Sequence, residues 1–121
     1  MGINIHAFVE TKKDGQHWIA REVCLSRDYS LYKLFGWGDR SGTLGQPWPH
    51  AELSMVVDCL CSSEEAIASR HSGHHFTPEE YRNTLQSYTE EAVCPLWLEV
   101  ADEMERLQAS GLQVRFLCWF H

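Results

Sequence analysis

Apolar and polar residues alternate along both ends of the chain. In the first run, Ile3, Ile5, Ala7 and Val9 are separated by Asn4, His6, Phe8 and Glu10. In the last run, Leu112, Val114, Phe116, Cys118 and Phe120 are separated by Gln113, Arg115, Leu117, Trp119 and His121. Because successive side chains of a β-strand point to opposite faces, both runs are predicted to be strands with one face on a core. We expect these terminal strands to be adjacent.

The first half of the chain then combines a hairpin, a short helix and a loop. Asp14-Gly15 precedes a second alternating run over residues 17–24, which predicts a hairpin. Ser26 or Asp28 is placed to cap a short helix over residues 29–35. Residues 36–49 contain glycines, prolines and two tryptophans without periodicity, so they are predicted to be a loop.

The second half is predicted to be mainly helical. Residues 52–61 are mostly apolar and could form a strand or a buried helix, and their acidic, Met-containing start slightly favours a helix. Residues 70–76 are predicted to be a loop. Thr77-Pro78-Glu79-Glu80 combines a cap, an N-terminal proline and a capping-box glutamate, and predicts a helix to about residue 91. An apolar stripe over residues 96–109 predicts another helix, which Gly111 ends. The fold class is therefore a single α/β (α+β) domain over residues 1–121, with a small, mostly antiparallel sheet and helices on one face.

Composition and charge narrow the function. The 121 residues are 44% hydrophobic and carry 10 basic and 17 acidic side chains, for a formal charge of -7. This balance opposes polynucleotide binding, which requires a basic surface, but it leaves a small anionic ligand open. No membrane span or leader pattern is present in the sequence, so we expect a cytoplasmic protein. The five cysteines are irregularly spaced, which favours reduced thiols over a disulfide framework.

Several short motifs occur in an order that resembles a family of small uncharacterised proteins from bacteriophages and prophages. They are Ile5-His6-Ala7-Phe8-Val9-Glu10, Arg27-Asp28-Tyr29-Ser30-Leu31-Tyr32, Gly45-Gln46-Pro47, His71-Ser72-Gly73-His74-His75 and Val114-Arg115-Phe116-Leu117-Cys118-Trp119-Phe120. The family has an Ile-His-x-x-Val-Glu opening and an ending rich in Trp and Phe. The resemblance implies a viral origin and a similar fold, and it implies no particular chemistry.

The second face of the terminal strands is the predicted ligand-binding surface. If the strands are neighbours, this face presents His6, Glu10, Arg115 and Trp119, and the loop residues Trp37, Arg40 and Trp48 are placed to close over it. Aromatic rings beside an arginine suit a nucleobase or a flat protein surface. The alternative is that Phe8, Leu117 and Trp119 form a second core layer, and that the loop tryptophans cover a core edge.

A metal site is the alternative chemistry. His71, His74 and His75 place three imidazoles within five residues, which suggests zinc, although the spacing lacks the usual paired donors. Together with His6 and Glu10, such a site would make a metal-dependent phosphodiesterase or other hydrolase. No phosphate-binding loop, nucleophile elbow or zinc-protease helix motif is present in the sequence.

These observations favour a binding protein over an enzyme. We expect a cytoplasmic phage protein that antagonises a host factor, either by occupying the surface of a host protein or by sequestering a small nucleotide. No cofactor is expected in this interpretation. A homo-oligomer is also expected if a terminal strand lies at the edge of the sheet.

Overall fold

The computed structural model describes residues 2–37, 43–47, 54, 55, 57, 73–89 and 92–120. Five antiparallel strands form one sheet in the order β2-β1-β5-β4-β3. The strands are β1 (Ile5–Lys12), β2 (Ile19–Glu22), β3 (Gln46–Pro47), β4 (His74–Phe76) and β5 (Gln113–Phe120). Together with the helices below, this sheet confirms the predicted α+β class.

The two terminal strands lie side by side, as predicted. Strands β1 and β5 pair along their whole length, from Ile5 opposite Phe120 to Lys12 opposite Gln113. Both strands are interior to the sheet, because β2 and β4 flank the pair. The expectation that a terminal strand forms an edge open to oligomerisation is therefore wrong. Within the described part of the chain, β2 and β3 are the edge strands.

Three helices are described in full, and local signals define their ends. In α1 (Tyr29–Leu34), the Asp28 side chain accepts a hydrogen bond from the Leu31 amide, which makes Asp28 the N-cap. In α2 (Pro78–Gln86), Thr77 and Glu80 form the predicted capping box. The third helix, α3 (Pro95–Ala109), is followed by Gly111 at a φ of 99°, which a residue with a side chain rarely adopts.

The main core lies between one sheet face and these three helices. The aromatic ring of Phe35, directly after α1, contacts Tyr81 of α2, Trp97 of α3 and Phe116 of β5. All four side chains are fully buried. Since Phe116 belongs to the apolar set of the last run, the period-two pattern correctly predicted which face meets the helices.

The opposite sheet face carries a smaller buried cluster. It consists of Phe8, Leu117 and Trp119 from the central strands and Val57 from the segment that follows Ser54. Their side chains are between 0% and 4% exposed. The second core layer that the sequence left as an alternative is therefore present in the fold.

Some predicted boundaries of strands, helices and loops are wrong, because pairing with distant parts of the chain determines the conformation there. Residues 74–76 form a strand instead of a loop, because His74 and Phe76 pair with β5 and are buried there. Gln46–Pro47 likewise pairs with β4 within the predicted 36–49 loop. Strand β2 is shorter than the 17–24 run, and α2 ends at Gln86, before the predicted residue 91. The described residues contain no helix that is both long and apolar enough to cross a membrane.

Candidate functional site

The polar centre of the second sheet face is a buried ion pair. Glu10 of β1 and Arg115 of β5 are directly opposite in the register, and Arg115 Nε donates to Glu10 Oε1 over 2.6 Å. Their side chains are 0% and 10% exposed, respectively. Both were predicted to contact a ligand, and in the fold they contact each other.

The second carboxylate oxygen of Glu10 binds the segment that covers this face. Glu10 Oε2 accepts a hydrogen bond from the Ser54 amide over 3.1 Å. The Ser54 hydroxyl in turn accepts from the Val57 amide over 3.4 Å, which is the pattern of a helix N-cap. Val57 of the same segment is fully buried in the smaller cluster. The Glu10 carboxylate therefore holds the segment of Ser54 and Val57 on the sheet by binding the Ser54 backbone amide.

Trp18, just before β2, extends the polar centre toward the surface. The guanidinium carbon of Arg115 lies over the Trp18 ring, 3.9 Å from the ring centroid. The Lys12 ammonium lies 5.9 Å from the same centroid. These are cation–π geometries, and the Arg115 contact is the closer one. The indole Nε1 of Trp18 is buried without a hydrogen-bond partner among the described residues. Trp18 was not among the predicted site residues, although it belongs to the same alternating set as Ala20 and Glu22.

His75 borders the ion pair on the other side. It lies opposite Leu117 in the β4–β5 register and is partly buried. Burial, and then the positive charge of Arg115, hold the pKa of His75 below its ordinary value of 6.5. The second face therefore favours the neutral imidazole at this position.

An aromatic stack occupies the remaining length of this face. The Trp119 ring lies between His6 and Phe8, with centroid distances of 5.0 Å and 5.6 Å and interplanar angles of 17° and 8°. His6 is partly exposed, whereas Phe8 and Trp119 are buried. The sheet thus brings four predicted ligand residues onto one face, namely His6, Glu10, Arg115 and Trp119. All of them except His6 are buried.

Of the loop residues predicted to close over this face, the structure describes Trp37, which lies elsewhere. Trp37 packs against the main core on the helix side of the sheet. It therefore follows the alternative interpretation, in which a loop tryptophan covers a core edge. Arg40, Trp48 and His71 lie outside the described residues.

The two described loop histidines do not converge. Adjacent residues of a strand point to opposite faces, so His74 lies on the helix side and His75 on the second face. His74 is 3% exposed, and a Cβ at Gly36 would come within 2.6 Å of its Cε1 atom. Over the described ranges, no group of three or more metal-ligating side chains is present. The side chains of His74 and His75 therefore point away from each other, across the sheet.

A separate surface at α1 carries exposed aromatic and cationic side chains. We call Arg27, Tyr29 and Trp37 the α1 patch. The Tyr29 and Trp37 rings are in contact, with centroids 5.6 Å apart, and Tyr29 is 41% exposed. Arg27 is exposed and donates to the Asn4 side chain over 2.5 Å. Of these three residues, only Trp37 was predicted to be a site residue, as one of two loop tryptophans.

The α1 patch packs on a buried aromatic residue, Tyr32. The Tyr29 ring meets Tyr32 edge-on at 5.8 Å, and Tyr32 is 2% exposed. Burial raises the pKa of Tyr32, and the positive charge of Arg27 opposes that shift. The patch therefore rests on the core through Tyr32.

Comparisons with protein-family models, with curated proteins and with solved structures gave no match for this chain.

Proposed function

We propose that the chain is a phage-encoded binding protein that antagonises a host factor by occupying the surface of a host protein. The observation that carries this proposal is the α1 patch. Arg27 and Tyr29 lie at the start of α1, and Trp37, which follows the helix, contacts the Tyr29 ring. Each belongs to a residue type that dominates binding energy at protein interfaces. The phage origin is supported by the order of the sequence motifs, and action in the host cytoplasm is part of the same proposal.

Preorganisation favours the α1 patch as a binding surface. The Tyr29 ring already contacts Tyr32 and Trp37, and Arg27 is already hydrogen-bonded to Asn4. Side chains that are ordered before binding lose less conformational entropy when a partner arrives. Tyr29 is 41% exposed, so it still has apolar area to bury against that partner.

The nucleotide and hydrolase alternatives draw less support from the contacts. A nucleotide site on the second face would need Glu10 and Arg115, but Arg115 donates to Glu10, and Glu10 also accepts from the Ser54 amide. The phosphodiesterase interpretation relied on neighbouring histidines, and His74 and His75 point to opposite faces. A protein surface is therefore the preferred target.

A comparative capture experiment tests the proposal. Tagged wild-type protein is incubated with a lysate of the bacterial host, and bound proteins are quantified by mass spectrometry. We expect one host protein to be enriched by the wild type and to be lost with Tyr29→Ser and with Arg27→Glu. Met55→Ser is the matched control, because Met55 is 81% exposed and lies on the opposite side of the sheet. Circular dichroism checks that all variants fold.

Two results would contradict the proposal. In the first, the same host protein is captured equally by Tyr29→Ser, Arg27→Glu and the wild type. In the second, no host protein is enriched, and an adenine-containing or cyclic nucleotide raises the melting temperature of the wild type and of Tyr29→Ser equally. The second result would transfer the function to nucleotide sequestration.

A further inference from the structure

The outer side of edge strand β2 presents unpaired backbone groups. The Val23 amide donates to the Ala7 carbonyl over 3.0 Å, and the register places Val9 opposite Arg21 and Thr11 opposite Ile19. In an antiparallel ladder, hydrogen-bonded and non-hydrogen-bonded pairs alternate. The N–H and C=O groups of Ala20 and Glu22 therefore point away from β1, and no described strand pairs with them.

We propose that two copies of this chain associate through β2, antiparallel, about a two-fold axis that passes beside Ala20. Such an isologous contact continues the sheet from one copy into the other. Ala20 of one copy lies opposite Ala20 of the second copy, and each donates its outward N–H to the carbonyl of the other. The next hydrogen-bonded pair outward is Glu22 opposite Trp18 of the second copy.

Repulsion between like charges favours the pairing with the axis beside Ala20 over the pairing with the axis beside Arg21. An axis beside Arg21 would also satisfy backbone donors, by pairing Ala20 with Glu22 of the second copy. It would, however, place the two Arg21 side chains directly opposite each other, and like charges in cross-strand pairs are destabilising. With the axis at Ala20, a small neutral side chain lies at the centre.

Lys12 supplies the complementary group for Glu22. Both side chains are on the second sheet face, because Lys12 follows the alternation of Glu10 along β1 and Glu22 lies opposite Phe8. In the proposed register, Glu22 of the second copy arrives opposite Trp18 and beside the Lys12 ammonium, which lies 5.9 Å from the centroid of the Trp18 ring. A carboxylate at this position pairs with the ammonium.

On the helix side, the same register covers an exposed apolar residue. Ile19 is 66% exposed and borders an open groove of about 280 Å³ between β2 and α3. In the proposed pairing, Ile19 packs on the aliphatic part of Arg21 from the second copy, whose guanidinium is held by Glu103 of its own chain. Burial of Ile19 adds a hydrophobic contribution to the backbone hydrogen bonds.

Sedimentation equilibrium of the full chain tests the proposal through Ala20→Pro. Proline removes the outward N–H, which does not bond to β1, so the fold is expected to persist. We expect wild-type protein to be a reversible dimer and Ala20→Pro to raise the dimer dissociation constant about tenfold or more. Circular dichroism and a melting curve establish that the variant is folded. Ala20→Ser keeps the N–H and the small size, and serves as the matched control that still dimerises.

A charge exchange locates the contact independently. Glu22→Lys alone and Lys12→Glu alone are expected to weaken the dimer, and the double variant is expected to recover it. Within one copy the two residues are too far apart for recovery to arise inside the chain, because Glu22 lies opposite Phe8, four residues along β1 from Lys12. A wild-type protein that sediments as a monomer up to its solubility limit would overturn the proposal. A dimer that is unaffected by Ala20→Pro and by both charge variants would overturn it too.

Discussion

The ion pair between Glu10 and Arg115 allows a quantitative prediction of stability. The Arg115→Met substitution removes the guanidinium and keeps most of the aliphatic length. The Glu10 carboxylate is then left fully buried, with the Ser54 amide as its described partner. We expect the free energy of unfolding to fall by about 3–5 kcal/mol, because removing one member of a buried pair leaves an uncompensated charge.

The geometry supports a value of this size. At the observed separation of 2.6 Å, two unit charges attract by about 6 kcal/mol at an effective dielectric constant of about 20. The loss of the Arg115 contact with Trp18 adds about 0.5–1 kcal/mol. Part of this total is offset, because Met needs no desolvation. The net loss remains a large fraction of the about 5–15 kcal/mol by which ordinary domains are stable.

Substitution of the other member of the pair, Glu10, is expected to lower the free energy of unfolding by less. Glu10→Gln keeps a carbonyl oxygen for Arg115 Nε, and the guanidinium that remains is 10% exposed and stacked on Trp18. We therefore expect a smaller loss, of about 1–3 kcal/mol. The double variant Glu10→Leu/Arg115→Met removes both charges and is expected to be more stable than Arg115→Met alone.

Urea denaturation monitored by tryptophan fluorescence and by circular dichroism measures all three variants. Two outcomes would refute the reasoning. One is a loss below about 1 kcal/mol for Arg115→Met, which would mean that water reaches Glu10 and that the charge is not buried. The other is a double variant no more stable than Arg115→Met, which would mean that lost packing, and not the unpaired carboxylate, destabilises the protein.

Three further predictions concern single positions. The pKa of His75 is lowered from 6.5 on folding, so the unfolded state binds more protons, and stability should fall as pH drops below about 6.5; denaturation curves at several pH values should show this loss in the wild type and a weaker one in His75→Gln. Thr77→Ala removes the capping-box oxygen that accepts from the Glu80 amide and should cost about 1 kcal/mol in urea denaturation. Burial raises the pKa of the Cys118 thiol, whereas Cys24 is exposed, so mass-spectrometric mapping after brief alkylation of the folded protein should find Cys24 modified and Cys118 unmodified.

Local signals predicted most of the fold because they act within a few residues. The capping box of Thr77 and Glu80 and the position of Gly111 depend only on nearby backbone groups. The period of two in the terminal runs directly reports which side chains share a face. Strand β4 could not be predicted in this way, because its three residues are too few to show a period. Its conformation is set by pairing with β5.

The site was harder to predict, because burial of a polar residue depends on what covers it. Glu10 and Arg115 were correctly placed on the second face, but alternation does not say whether that face is open. The cover around Ser54 and Val57 approaches from a segment whose sequence is compatible with strand or helix. The α1 patch was missed because Arg27 and Tyr29 have the sequence pattern of an ordinary helix start, and only the fold brings Trp37 against Tyr29.

The ion pair also favours the observed register between the central strands β1 and β5. A shift of β5 along β1 by two residues keeps every side chain on its own face, so hydrophobic alternation alone does not exclude it. Such a shift would place Glu10 opposite Gln113 or Leu117, and the carboxylate would be buried without a cation across the strand. The cost of an unpaired buried charge therefore disfavours both shifted registers. By this argument, Glu10 and Arg115 specify the pairing on which the rest of the sheet is built.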